Sequence, residues 1–217
     1  MRDLYRYSTI VALCGLLGAA PVQAGEALDQ AIRQLQGAWA ETRYQTPAEQ
    51  QEAAYERLEK AAEMTADQFP GRAEPLVWQA IILSSHAGAS GGLAALSRVR
   101  QARALLEQAE TLDAGALDGS IYTSLGSLYY QVPGWPLGYG DDDRAEAYLK
   151  KALALNPDGI DPNYFYGDYL YRQARYAEAV DYLGRALAAA PRPGRELADR
   201  GRRAEAQSAL ERARARQ

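Results

Sequence analysis

The sequence of 217 residues contains one cysteine and one histidine. The cysteine is Cys14, so residues 25–217 offer no disulfide, no thiol nucleophile and no thiolate metal ligand. His86 has no second histidine beside it, and a lone histidine makes a poor metal site. Residues 88–92 have the letters of Gly-x-Ser-x-Gly, but no strand precedes them as a nucleophile elbow requires, and no Gly-Lys-Ser/Thr element follows. The sequence therefore predicts no catalytic residue, no metal and no cofactor, and an enzyme is not expected.

Long apolar runs are scarce, and the one near the N-terminus is typical of a signal peptide. The run Thr9–Ala20 follows Arg2 and Arg6, and small residues lead up to Ala24. It is shorter than the ~20 residues that cross a bilayer as a helix. We expect residues 1–24 to be cleaved after export, with no stable membrane insertion afterwards.

The single cysteine raises the question of a lipid anchor. Leu13 precedes Cys14 at a position where lipoprotein sites resemble one another in having a small residue. A lipoprotein is therefore not expected. Export without disulfides fits a bacterial periplasm, which is the predicted location.

Basic residues are fewer than acidic residues, and the formal net charge is -4. This balance argues against nucleic acid as a partner. The tail from Arg192 is nevertheless rich in arginine. It is interpreted as a solvated helix with mixed ion pairs, and a site for anionic lipid or an acidic partner is the alternative.

Two segments, 142–157 and 175–191, align without gaps at a separation of 34 residues. The aligned pairs are Ala145 with Ala179, Leu149 with Leu183, Ala152 with Ala186, and Pro157 with Pro191. This is the period of tetratricopeptide repeats, whose second helix resembles A-x3-F-x2-A-x4-P. Small alanines allow close helix crossing, and the proline ends the helix.

The preceding segments resemble the first helix of the same repeat. Tyr122, Leu125, Gly126 and Tyr129 match W-x2-L-G-x2-Y with tyrosine in place of tryptophan. Gly167 takes the small site in the next copy. An earlier, more degenerate copy places the aromatic, large and small sites at Trp78, Ile81 and Ile82.

The predicted fold is all-α, a tetratricopeptide-like solenoid of helical hairpins. Residues 25–72 form a helical pair that is a degenerate repeat or a cap, residues 73–191 form three repeats, and residues 192–217 form a C-terminal capping helix. Long loops are expected between the two helices of the first two repeats, in the segments 86–98 and 132–140.

The second interruption leads into P-x-G-x-G-D-D-D-x-A, residues 136–145. With the export signal and the repeats, this resembles the T-component proteins associated with TRAP transporters. The resemblance implies a non-enzymatic periplasmic accessory to uptake of small organic acids, assembled with a substrate-binding protein. The alternative is an envelope scaffold that binds a peptide or protein in its concave groove. Repeat arrays also assemble through their end helices, so an oligomer is compatible with either function.

Aromatic side chains are predicted to line that groove. The fifth, ninth and twelfth positions of the first helices are Gln79, Leu83 and His86, then Thr123, Ser127 and Tyr130, then Tyr164, Asp168 and Tyr171. Tyrosines with polar tips suit a peptide or an amphipathic ligand. The alternative is that they only fill inter-repeat packing, and that His86 has an ordinary structural role.

The segment 132–140 is predicted to be an ordered loop that carries Trp135 and Tyr139 over the mouth of the groove. Three acids follow at 141–143. Asp143 with Glu146 is interpreted as a capping box at a helix start, and a weak cation site is the alternative.

Overall fold

A computed structural model describes residues 20–217, and residues 1–19, with Cys14 and most of the predicted signal peptide, lie outside them. The described chain is helical throughout and contains no strand. The helices are α1 Ala20–Tyr44, α2 Ala48–Gln68, α3 Ala73–Ser90, α4 Gly92–Leu112, α5 Ser120–Gln131, α6 Asp142–Leu155, α7 Ile160–Arg172, α8 Tyr176–Ala188 and α9 Glu196–Arg214. This confirms the predicted all-α fold.

The hairpins α5–α6 and α7–α8 pack as the repeat pattern predicts. A Cβ built on Gly126 would lie 2.6 Å from Cγ of Leu149, and one on Gly167 would lie 2.7 Å from Cγ of Leu183. Both leucines are completely buried. The glycines are needed because the second helix of each hairpin crosses the first at this point.

The hairpin α3–α4 differs from the prediction, because the segment 86–98 is not a loop. Helix α3 continues to Ser90 and α4 begins at Gly92, so most of the extra residues lengthen the two helices. Alanine, leucine and serine there support helix. The break is confined to Gly91 and Gly92, whose φ angles are +65° and +68°.

The register predicted for α3 also needs correction. Trp78 and Ile82 pack with Trp39 and Tyr55 of the N-terminal hairpin, not in the cluster that contains α4. The small residues that α3 contributes to that other cluster are Ala73, Ala80 and Ala87. Sequence spacing within one copy did not reveal this, because α3 is buried between two neighbouring hairpins.

The first helix of each hairpin contacts the first helix of the next hairpin, and the contacts form a closed ring. Helix α1 contacts α3, α3 contacts α5, α5 contacts α7, and α7 contacts α9. Helix α9 also contacts α1. The segment 192–217, predicted as the cap of an open solenoid, thus joins the C-terminal end of the array to its N-terminal hairpin.

The contact between α1 and α9 is both apolar and polar. A Cβ on Gly201 would overlap the ring of Tyr44, so the two helices approach closely there. Arg43 donates to Glu205 at 2.9 Å beside this crossing. Ala198 of α9 lies in the same buried cluster as Trp39.

Candidate partner-binding surface

The predicted groove residues Tyr130 and Asp168 bind each other. The Tyr130 hydroxyl donates to Oδ2 of Asp168 at 2.8 Å, and Arg172 donates to the same oxygen at 3.2 Å. Burial and then the Asp168 charge raise the pKa of Tyr130 well above its ordinary value. The sequence analysis assigned the two side chains to a ligand, whereas their hydrogen bond joins α5 to α7.

Tyr164 and Tyr171 lie beneath arginines of α9. The guanidinium of Arg202 is 4.6 Å from the ring centre of Tyr164, and that of Arg212 is 5.8 Å from the ring centre of Tyr171. Cation–π contacts of this kind are stronger where water is excluded. The C-terminal helix therefore covers the tyrosines of α7 that the sequence assigned to a ligand.

Asp161 holds the same covering helix in place. Its carboxylate accepts from Arg192 at 2.7 Å and from Arg202 at 2.8 Å. Burial alone would raise its pKa, but the two arginines outweigh burial and bring the pKa to about 2. Because the folded-state pKa is lowered, these ion pairs stabilise the fold at neutral pH, and the contribution is lost as the pH falls from about 4 towards 2.

His86 is not on an open groove, which corrects its assignment as a binding residue. Its side chain is 0% exposed, and Nδ1 lies 2.8 Å from Oε1 of Glu59 on α2. The ring stacks on Tyr55 with centres 5.8 Å apart, and Arg98 donates to the same Glu59 oxygen. The structure favours the alternative of a structural role between α2, α3 and α4.

Loop 132–141, the connection between α5 and α6, is fixed on α4. The Tyr139 hydroxyl donates to the Val99 carbonyl at 2.7 Å, and the guanidinium of Arg103 lies 4.4 Å from the Tyr139 ring centre. Arg100 donates to the Leu137 carbonyl at 3.4 Å. The loop therefore packs on the second helix of the preceding hairpin, and the predicted closure over the groove mouth is wrong.

The two arms of the loop are packed against each other. Gly140 donates its backbone N–H to the Pro133 carbonyl at 3.0 Å, and Asp141 donates to the Tyr129 carbonyl at 2.9 Å. A Cβ on Gly138 would overlap Pro133 O, and one on Gly140 would overlap Val132 O. Main-chain contacts this close allow only glycine at the two positions.

This fixed loop presents apolar side chains to solvent. Trp135 is 90% exposed and Leu137 is 64% exposed. Arg100, which holds the Leu137 carbonyl, is itself exposed. The tip therefore combines an aromatic ring, an aliphatic side chain and positive charge, the mixture found at the centres of protein interfaces.

The acids after the loop belong to a helix start. Asp141, not Asp143, is the N-cap residue of α6, and its Oδ1 accepts from the Arg144 N–H at 3.0 Å. Glu146 binds Arg175 at 2.8 Å, and this hydrogen bond is the main cause of its lowered pKa of about 2. Within residues 20–217 no group of acids or histidine could hold a metal ion.

Sequence reasoning missed Arg202 and Arg103. Arg202 was placed in a solvated helix, yet it is 8% exposed. The ion pair of Arg202 with Glu205 could be expected from their i,i+3 spacing on one helix. The pair with Asp161 could not, because Asp161 lies 41 residues earlier on another helix. Arg103 likewise gave no signal, because its partner Tyr139 is on another hairpin.

Among the described helices, none is both long and apolar enough to cross a membrane.

Comparisons with known proteins support the repeat. Residues 137–199, from loop 132–141 into α9, match the tetratricopeptide repeat family model. The structure is similar to the crystal structure of a thermophilic tetratricopeptide-repeat protein of Thermus thermophilus, with a TM-score of 0.54 and 20% identity over 87% of this chain and 95% of that chain. The chain therefore has a tetratricopeptide-repeat fold.

A second solved structure, pilF of Pseudomonas aeruginosa, matches with a TM-score of 0.38 and 18% identity over 88% of this chain and 93% of that chain. No curated protein matches the sequence. None of these comparisons supports the resemblance to TRAP T-components.

Proposed function

We propose that the protein is a non-enzymatic scaffold that binds another protein, and that loop 132–141 is its contact surface. The main support is Trp135, which is 90% exposed on a loop that Tyr139 fixes to α4. Tetratricopeptide-repeat proteins serve as protein-interaction scaffolds, which is the function the fold suggests.

The fixed base of the loop supports this proposal energetically. A binding loop that is already ordered loses little conformational entropy when it docks. Tyr139 and the two close glycines hold the loop in one arrangement before any partner arrives. Burying a tryptophan removes roughly 150–250 Å² from water, enough to make it a dominant contact.

The tip also restricts the chemistry of the partner. Arg100 is exposed beside Leu137, and Arg103 is stacked on Tyr139. The proposed partner surface has an apolar pocket for Trp135 with acidic residues on its rim, because opposite charge favours encounter and register.

The closed helical array weakens the case for a ligand in the predicted groove. Tyr130, Asp168, Tyr164 and Tyr171 already have partners within the chain. A small-ligand role and a TRAP accessory role therefore rest on the sequence resemblance of residues 136–145. Export and a periplasmic location rest on the pattern of residues 1–24.

The test places a photo-crosslinking amino acid at position 135 in the full-length chain, expressed in its native host. We expect a defined protein adduct that mass spectrometry identifies, and binding of that purified protein to the purified scaffold. The matched control carries the crosslinker at Met64, which is 71% exposed on α2. No adduct at 135, or the same adducts from both positions, would contradict the proposal.

A further inference from the structure

A cleft lies between α2 and α4, the second helices of the first two hairpins. It is lined by the end of α2, the turn that follows it, α3 and α4, and has a volume of about 400 Å³. Phe69, Leu76 and Leu105 supply its apolar wall. A volume of this size is within the range of sites that hold small ligands or a few residues of peptide.

Gln79 is the unusual residue of this cleft. It is only 9% exposed, and its side-chain amide, which reaches the solvent of the cleft, has no hydrogen-bond partner among the described residues. An amide with no partner in the chain is free to bind a ligand in the cleft. Gln108 lines the same cleft, so two amides are present, each with a donor and an acceptor.

The rim of the cleft is acidic. Glu63 and Asp67 are exposed, one turn apart on α2, and form no ion pair within the described chain. The nearby positive charge of Arg72 is already used, since its Nη2 lies 2.5 Å from Oε1 of Glu74 and its Nε donates to Oε2 at 3.3 Å. The available charge at the rim is therefore negative.

We propose that this cleft binds a short basic peptide segment, with an apolar side chain against Phe69, Leu76 and Leu105. Gln79 and Gln108 pair with peptide groups of the segment, which carry the matching donor and acceptor. Glu63 and Asp67 face its lysines or arginines. The site is separate from loop 132–141 and does not depend on the scaffold function proposed for that loop.

The test uses an acetylated and amidated Lys-Leu-Leu-Lys peptide and its Glu-Leu-Leu-Glu counterpart. Binding is followed in ¹H–¹⁵N spectra of the protein, including the side-chain amide signals of glutamine. We expect the basic peptide to shift the Gln79 signal and the acidic peptide to bind at least about 5-fold more weakly. Equal affinities, or an unshifted Gln79 signal at millimolar basic peptide, overturn the proposal.

Substitutions measure separately what the Gln79 amide and the two acidic side chains contribute to peptide binding. Gln79→Met keeps the side-chain size and should weaken the basic peptide about 5-fold, as expected for a lost hydrogen bond. Glu63→Gln with Asp67→Asn should reduce both the affinity and its salt dependence. Gln101→Met, an exposed glutamine of α4 outside the cleft, and Trp135→Ser should leave binding unchanged. A Gln79→Met protein that binds as the wild type would also overturn the assignment.

Discussion

Two connections at the same place in successive hairpins have opposite structures. Between α3 and α4 the extra residues are helical and only Gly91 separates the helices. Between α5 and α6 the ten residues of loop 132–141 have no helix. The difference follows from proline, because Pro133 and Pro136 remove backbone donors that a continued helix requires, whereas the segment 87–98 has no proline.

The two connections also expose apolar side chains in different ways. Leu93 is 86% exposed in the first turn of α4, next to a glycine pair with positive φ. Trp135 is exposed to a similar degree, but its loop is fixed through Tyr139 to the main chain of α4. Exposure alone therefore does not distinguish a binding residue, whereas exposure on a fixed support favours one.

The most drastic change makes the second connection short. We expect replacement of residues 132–140 by Gln-Ala-Arg, the connection that joins α7 to α8, to abolish partner binding and keep the helical fold. Loss of buried Val132 and of the Tyr139 contacts should cost about 3 kcal/mol in the free energy of unfolding.

Far-UV circular dichroism and urea unfolding would check the fold, and titration with the crosslinked partner would check binding. A shortened protein that is folded and still binds that partner with wild-type affinity would show that the loop is not the contact surface.

A smaller change loosens the loop without shortening it. The Gly140→Ala Cβ would overlap Val132 O, so the two arms must separate, at a cost of about 2 kcal/mol. We expect faster amide hydrogen exchange confined to 132–141 and weaker partner binding. Unchanged exchange in the loop would mean that its close packing is not required.

A glycine-to-alanine substitution at the first connection should destabilise the protein through backbone strain and not through a steric overlap. Gly91 has φ +65° and no atom within 4 Å of a Cβ built on it. Gly91→Ala should cost roughly 1–3 kcal/mol, because φ +65° with ψ −165° is a backbone conformation open essentially only to glycine, and this strain exceeds the entropy gained in the unfolded chain. Thermal unfolding should show a lower Tm, and partner binding should not change. Loss of binding here would assign a function to the α3–α4 joint.

The fold was predictable because it depends on local spacing. Gly126 and Gly167 identified the helix crossings, and Leu149 and Leu183 identified the side chains that fill them. The candidate site was predictable only in part. Trp135 could be selected from its loop, but the packing of that loop on α4 depends on the distant pair of Tyr139 and Val99.

The closure of the array could not be read from the sequence. Arg43 and Glu205 are 162 residues apart, and no repeat relates them. The arginines of α9 follow an ordinary helical charge pattern, so Arg202 looked solvated until its partner Asp161 was placed beside it. For the same reason the tyrosines of α7 looked available to a ligand.

The most direct test compares the affinity of the crosslinked partner for Trp135→Ala and for Met64→Ala. Both side chains are exposed, so neither substitution should change the free energy of unfolding by more than about 0.5 kcal/mol. We predict that Trp135→Ala weakens binding at least about 30-fold, as for a hot-spot tryptophan, and that Met64→Ala has no effect. Equal affinities of the two variants would contradict the assignment of loop 132–141 as the contact surface.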